Sequence, residues 1–194
     1  MTNRGCIVTG IEQDQEMANI ARQYCREMIV GDIETMDLAN LSQYDAVVLG
    51  DVLEHLRDPR EILQSVRALL KPGGKVLISL PNVANIWVRL NLLFGRFNYS
   101  RVGILDETHL RFFTLLTMRQ LAAESGFDVI SVNATPIPLP VMFPATRQGR
   151  SLSFLHFLNW GLTKLRSTLF GYQFMMVCRP KSVSNQPPGL KNLL

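Results

Sequence analysis

A chain of 194 residues, 47% of them hydrophobic, suits one domain with a substantial core. Its 20 Lys and Arg against 16 Asp and Glu leave a formal charge of +4, without the dense basic block that would mark a nucleic-acid binder. Cys6, Cys25 and Cys178 are scattered with no CxxC pair, the N-terminus lacks the shape of a secretory leader, and no apolar run approaches the roughly 20 residues of a membrane span; a reducing cytoplasm is expected.

Cys6 to Ile11 reads as a strand ending at Glu12, and Asp14 is placed to cap a helix from Gln15 to Cys25 with Met17, Ile20, Ala21 and Tyr24 at helical spacing. Met28 to Val30 is a short strand closed by Gly31-Asp32, and residues 34–43 read as a loop or one helical turn. Ala46 to Leu49 is a continuous apolar run, as in a strand buried on both faces. Asp58 then stands at an N-cap, with Pro59 at the first helical position and Glu61 three residues after the cap. Ile62, Leu63, Val66, Leu69 and Leu70 share one helix face, Lys71-Pro72-Gly73-Gly74 stops the helix, and Lys75 to Leu80 is a second apolar strand. Strand, crossover helix and strand make a βαβ unit with parallel strands.

Val83 to Phe97 reads as a helix with Ile86, Trp87, Leu90, Leu93 and Phe94 on one side, packed into the core; a pocket-lining or lid role for Trp87, Phe94 and Phe97 is the less favoured alternative. Asn98 to Glu107 is a polar loop, Thr114 caps a helix to Ser125, and Phe127 to Val132 is a strand. Pro136, Pro138, Pro140 and Pro144 stiffen the next connection. Ser151 to Phe170 reads as one amphipathic helix, with Leu152, Leu155, Leu158 and Leu162 opposed to Arg150, Lys164 and Arg166. Phe174 to Cys178 is a last strand, so residues 1–180 form the domain and 181–194 a flexible tail. Alternation of strand and helix predicts a doubly wound, mostly parallel α/β sheet.

Ligands of such sheets bind beyond the carboxyl ends of the strands. Those ends carry Glu12, then Asp32, then Asp51 to His55, with Pro81 and Asn82 after the next strand. A carboxylate ending a strand can accept both hydroxyls of a ribose through its two oxygens. Taken singly, each acid is equally at home as a turn or cap residue. The spacing of His, Cys, Asp and Glu suggests no metal-ligand set.

The stretches VTGIEQDQEM, IVGDIETM, YDAVVLGDVLEHLRDP, LLKPGGKVLISLPN and DETHLRFFTLLTMRQLAAESGF together resemble the class I S-adenosylmethionine-dependent methyltransferases, in the group that includes the ubiquinone-biosynthesis O-methyltransferases. The resemblance covers residues 6–132 and implies a Rossmann-like fold and methyl transfer from S-adenosylmethionine to a small molecule, with an oxygen acceptor favoured. It implies that Glu12 binds the cofactor ribose, Asp32 with Ile33 the adenine, and that Asp51 lies near the methionine moiety. Glu54, His55 and Asn82 would face the cleft and His109 the substrate side. An imidazole titrates near neutrality, so His109 and His55 are the candidate general bases. Arg111 could pair with an acidic substrate, or form an ion pair with Asp106 or Glu107.

The family's first strand and glycine-rich loop should precede Glu12 by about 20 residues, and eleven residues stand there. The sheet is therefore expected to lack its central first strand, between the strand ending at Glu12 and the one ending at Gly50, which would expose two edges and favour self-association. A non-catalytic, methyltransferase-like scaffold is the alternative that this departure raises, and an NAD-dependent enzyme is a third reading with no dinucleotide fingerprint behind it. The basic amphipathic stretch 151–170, with Trp160, is a candidate for peripheral membrane contact; the alternative is that its apolar face covers the sheet or a subunit interface.

Overall fold

The computed structural model describes residues 5–138 and 150–182, with side chains from Leu155 onward in the second stretch. The elements are β1 (Thr9–Glu12), α1 (Gln15–Ala21), β2 (Glu27–Val30), β3 (Tyr44–Gly50), α2 (Pro59–Ala68), β4 (Leu70–Pro81), α3 (Ile86–Leu93), α4 (Leu115–Glu124), β5 (Phe127–Thr135), α5 (Arg150–Leu165), α6 (Ser167–Phe170) and β6 (Gln173–Pro180). Pro140, Pro144 and the tail from residue 183, with the roles expected of them, lie outside the described residues.

Two ladders form. β1 pairs with β2 in parallel, and the second ladder has the order β3-β4-β6-β5. β3 and β4 are parallel, while β6 is antiparallel to both β4 and β5, so β3, β4 and β5 run one way and β6 alone is reversed. The α/β architecture with mostly parallel strands is as expected. The two ladders share no strand among the described residues, which is the gap expected where a central strand is lacking.

The βαβ unit forms for the local reasons its sequence suggests. Asp58 accepts from the amides of Arg60 and Glu61 and caps α2, whose Ile62, Leu63 and Val66 are buried. The glycines do more than stop the helix: β4 already begins at Leu70, and its register against β3 shifts between Tyr44 and Ala46. A Cβ on Gly74 would stand 2.9 Å from the Lys71 carbonyl oxygen and 3.2 Å from that of Tyr44, so the two strands can come together here only because that position lacks a side chain.

One sheet face makes the core. Val76, Ile78 and Leu80 of β4 stand beside Cys178, Met176 and Phe174 of β6, and α2 and α4 bury this row with Leu63, Val66, Met118 and Ala122. The opposite row, with Val48, Leu77 and Met175, remains exposed. The expectation that the 46–49 strand is buried on both faces therefore fails: Ala46 and Val48 are exposed and Leu49 is buried.

Three helices differ from their predicted extents. α1 ends at Ala21 and passes into a 3-10 turn, Arg22–Tyr24. α3 begins at Ile86 because the side chain of Asn85 caps it at the Trp87 amide, and it ends at Leu93, short of Phe97. The 151–170 helix is broken at Arg166, whose backbone leaves the helical region (φ −146°, ψ 74°). Leu63→Ala is expected to cost about 2–5 kcal/mol in urea denaturation, and Asp58→Ala about 1 kcal/mol, the first through a core cavity and the second through orphaned helix amides.

Candidate active site

The polar residues past the strand ends are built up in layers. β1 delivers Glu12, whose Oε1 accepts from the Asp14 amide at 2.9 Å, leaving Oε2 without a partner among the described residues. β2 delivers Asp32, whose Oδ1 accepts from the Glu34 amide at 2.9 Å in a tight turn, with Ile33 packed against the core. Glu34 then reaches across: its Oε1 accepts from the amides of Arg57 at 2.8 Å and Asp58 at 3.3 Å. That carboxylate ties the loop after β2 to the loop after β3, a role nothing in the sequence singles out.

Just past the end of β3, Asp51 lies in the left-handed backbone region, at φ 54°, the one described non-glycine residue with a positive φ. Asp and Asn tolerate this conformation better than most residues. It turns the Asp51 carboxylate back toward the sheet, where Oδ1 accepts from Ser79 Oγ at 3.2 Å and from Gln173 Nε2. Ser79 and Gln173 come from β4 and the reversed strand β6, and sequence spacing holds no signal for that meeting.

After Asp51 the chain makes a 3-10 turn, Leu53–His55. The Glu54 carbonyl accepts from the amides of Leu110 at 2.8 Å and Arg111 at 3.0 Å, and this pair of bonds brings the 106–113 loop onto the turn. His55 and His109 therefore meet edge to face with ring centroids 4.8 Å apart. His55 Nδ1 lies 3.2 Å from the Thr108 carbonyl and His109 Nδ1 lies 3.2 Å from the Ile104 carbonyl. A carbonyl only accepts, so each Nδ1 carries a proton, and in a neutral ring Nε2 is then the acceptor. Thr108 is held in turn by Asp106, which accepts from its amide and its hydroxyl. Those bonds hold the Asp106 carboxyl below its ordinary range.

Beside the two imidazoles lies Glu54. It is 1% exposed, and neither carboxylate oxygen has a hydrogen-bond partner among the described residues. Burial pushes its carboxyl up to about 7, with the nearby Asp51 charge adding to the shift. Burial likewise pushes the His109 imidazole down, favouring its neutral form. One ligand atom each from Glu54, His55 and His109 all lie within 4.8 Å of one another. Two imidazoles and a carboxylate are a donor set suited to a divalent transition metal. Glu54 and His55 are adjacent in sequence, but His109 comes 54 residues later, and that distance kept the set from view.

Two further candidates are placed differently. Asn82 is fully buried; its Nδ2 donates to the carbonyls of Thr168 and Gly171, and its Oδ1 accepts from the Ala84 amide. It ties β4 to the turn before β6, with its hydrogen-bonding groups engaged within the protein. Arg111 donates from Nε and Nη2 to the Arg57 carbonyl, and no ion pair with Asp106 or Glu107 forms among the described residues. Trp87 and Phe94 are exposed, which overturns the core-packing expectation for that helix face.

The domain is a Rossmann-like α/β fold with acids just past successive strand ends and an imidazole–carboxylate cluster past β3. A family model described as a methyltransferase domain matches residues 1–132, and the chain belongs to that family. The ubiquinone biosynthesis O-methyltransferase of Aeromonas salmonicida is 34% identical over 148 residues, covering 71% of this chain and 61% of that protein. The protein of the same name from Vibrio vulnificus is 35% identical over 88 residues, covering 42% and 37%. The chain thus spans about two fifths to three fifths of the length of these curated relatives. A methyltransferase structure from Archaeoglobus fulgidus, described as SAM-dependent, superposes with a TM-score of 0.59 over 91% of this chain and 77% of that one; at 20% identity the likeness is one of fold.

Glu54 makes stability pH-dependent in a stated direction. Its carboxyl is raised in the fold from the ordinary value of 4.5 to about 7, so this contribution is fully present below pH 4.5 and is lost as pH rises through 7. Glu54→Gln should match the parent near pH 4 and exceed it at pH 8 by up to about 3 kcal/mol, measured by urea denaturation in the presence of a chelator.

Proposed function

We propose that the chain transfers a methyl group from S-adenosylmethionine to an oxygen of a small-molecule acceptor. The observation that carries this reading is the succession of Glu12, Asp32 and Asp51 at the strand ends, with Asp51 turned by its positive φ next to the Glu54–His55–His109 cluster. The names of the curated relatives favour oxygen as the acceptor atom.

S-Adenosylmethionine supplies a methyl already activated on a sulfonium, so most of the catalysis falls to positioning. Glu12 holds the ribose hydroxyls through its free oxygen, Asp32 and Ile33 meet the adenine, and Asp51, fixed by Ser79 and Gln173, lies toward the amino-acid end. His109 takes the proton of the acceptor hydroxyl at Nε2, its Nδ1 proton being held by the Ile104 carbonyl, and His55 supports it edge to face. Arg111, bound to the Arg57 carbonyl, and Asn82 keep the walls of the cleft in place.

The partnerless buried carboxylate favours a second reading of the same cluster, in which Glu54, His55 and His109 hold a divalent cation. A cation there would lower the pKa of the acceptor hydroxyl in place of a general base. The exposed Phe157, Trp160 and Leu165 support peripheral membrane contact through 151–170, and the edges of β1 and β3, unpaired among the described residues, support self-association.

Calorimetric titration of S-adenosylmethionine into the purified chain should give micromolar binding that Glu12→Ala weakens at least tenfold; a chain that binds no donor would instead favour the scaffold reading. For the cation, Co²⁺ added to the chain should give a visible absorption band that Glu54→Gln and His109→Ala each abolish, and activity surviving exhaustive chelation would return the proton to His109.

A further inference from the structure

A second concavity lies at the opposite end of the sheet from the candidate site. Its volume is about 690 Å³, within the range of small-molecule sites. Its walls come from the end of α2, the start of β4, and the end of β6 with the residues just past it. β6 sets the separation between the two places. Gln173 at its start bonds to Asp51, and Arg179 near its end lines the cleft, so they lie about 20 Å apart along the strand.

The charge of the lining says what the cleft meets. Arg67, Lys71, Lys75, Arg179 and Lys181 line it, five of the chain's 20 Lys and Arg, and no Asp or Glu does. Acids outside the cleft reach two of these cations: Asp45 holds Lys71 at 2.8 Å, and Asp128 stands 3.9 Å from Arg179. The second is a long contact between exposed side chains and neutralises little. Lys75 has no ion-pair partner among the described residues. Cations gathered around a concave wall focus a positive field that a lone surface lysine does not, and an anion between them relieves their mutual repulsion.

Part of the wall is held in place before any ligand arrives. The Arg67 guanidinium lies over Gly126, where a Cβ would stand 3.0 Å from Nη1, and Nη2 donates to the Lys181 carbonyl at 3.4 Å. Lys181 is tied in turn, its amide to the Gly126 carbonyl at 2.9 Å and its Nζ to the Ala123 carbonyl at 2.8 Å. Arg67 thus presents a fixed guanidinium whose Nε and Nη1 have no hydrogen-bond partner among the described residues. Beside the cations the lining is apolar: Pro72, Pro180 and Ile130, which is 48% exposed at the register shift of β5. Gly73, at φ 81°, has no atom within 4 Å of where its Cβ would stand, so the loop leaves this side of the cleft open. Fixed cations beside an uncovered apolar floor suit a ligand with phosphates at one end and a flat or apolar body at the other.

We propose that this cleft binds a small organic polyphosphate, of the nucleoside triphosphate kind, with its phosphates on Arg67, Lys75 and Arg179 and its body against Pro72 and Ile130. An inorganic polyphosphate shares the anionic chemistry but leaves the apolar floor uncovered. The site is distinct from the strand ends that carry Glu12 and Asp32, and it does not depend on the methyl-transfer reading, since binding is measured without donor or acceptor.

The test is calorimetric titration of ATP and of inorganic tripolyphosphate into the full chain in magnesium-free buffer. Both are expected to bind, ATP the more tightly, and both to weaken as ionic strength rises. Lys75→Gln/Arg179→Gln, at two exposed positions, should weaken both about tenfold, while Arg22→Gln, away from the cleft, leaves them unchanged. Amide resonances of Gly73 and Gly74 should shift on titration, a local readout that a merely destabilised variant would not mimic. Glu12→Ala should leave ATP binding intact; its loss there would place the nucleotide at the strand ends and overturn the proposal. Tripolyphosphate as tight as ATP would overturn the organic ligand and assign the cleft to inorganic polyphosphate. Binding of neither, affinities unchanged in the double variant, or binding of heparin alone would overturn the site as a small-anion site.

Discussion

The carbonyl of Glu54 is the point on which the candidate site turns. Two amides, of Leu110 and Arg111, converge on it and bind the 106–113 loop to the turn after β3, where His55 at the Thr108 carbonyl and Arg111 at the Arg57 carbonyl add to the hold. The meeting of His55 with His109 and the grip of Arg111 on the Arg57 carbonyl go with that anchoring. Backbone bonds do the assembly, which leaves the side chains free to be chosen for chemistry.

Against that anchored backbone, the Glu54 side chain is costly. A buried carboxyl loses solvation, and here the burial outweighs what the backbone gives back. Among the other buried polar side chains, Asn82 and Asn85 are engaged by carbonyls and amides and Thr163 by the Asn159 carbonyl, while Ser125 Oγ alone shares the lack of a partner among the described residues. Glu54 is the one ionisable group among them, and unsatisfied ionisable groups collect where a protein binds or reacts. A proton or a cation would relieve the cost, and the two readings of the cluster differ only in which.

Much of the scaffold was legible in the residues. Asp58-Pro59 with Glu61, and Thr114, are helix starts whose side chains must satisfy free amides, and both caps form as read. Strand ends were legible because apolar runs stop at acids, which put Glu12, Asp32 and Asp51 where a sheet presents ligands. Pairings across long sequence separations were not. Gln173 reaches Asp51 because β6 is reversed against β4, a register no local pattern encodes. Helical spacing in α3 suggested core packing, since periodicity reports that a face is apolar and not what covers it. The break at Arg166 falls inside a continuous amphipathic pattern, so periodicity carries no sign of it.

The separateness of the two ladders has a consequence for how the molecule breathes. Among the described residues, the hydrogen bonds joining residues 5–36 to the rest are the two that the Arg57 and Asp58 amides give to Glu34. Ile33 adds packing against the core. A unit so lightly moored can swing away as a block while the β3-β4-β6-β5 ladder stays intact, and its amides would exchange through that partial opening rather than through global unfolding. A ligand gripping Glu12 on one side and Asp51 on the other would act as the missing mooring, closing the opening in proportion to its occupancy. Occupancy of the strand ends and order of the N-terminal unit would then be one equilibrium, read from either side.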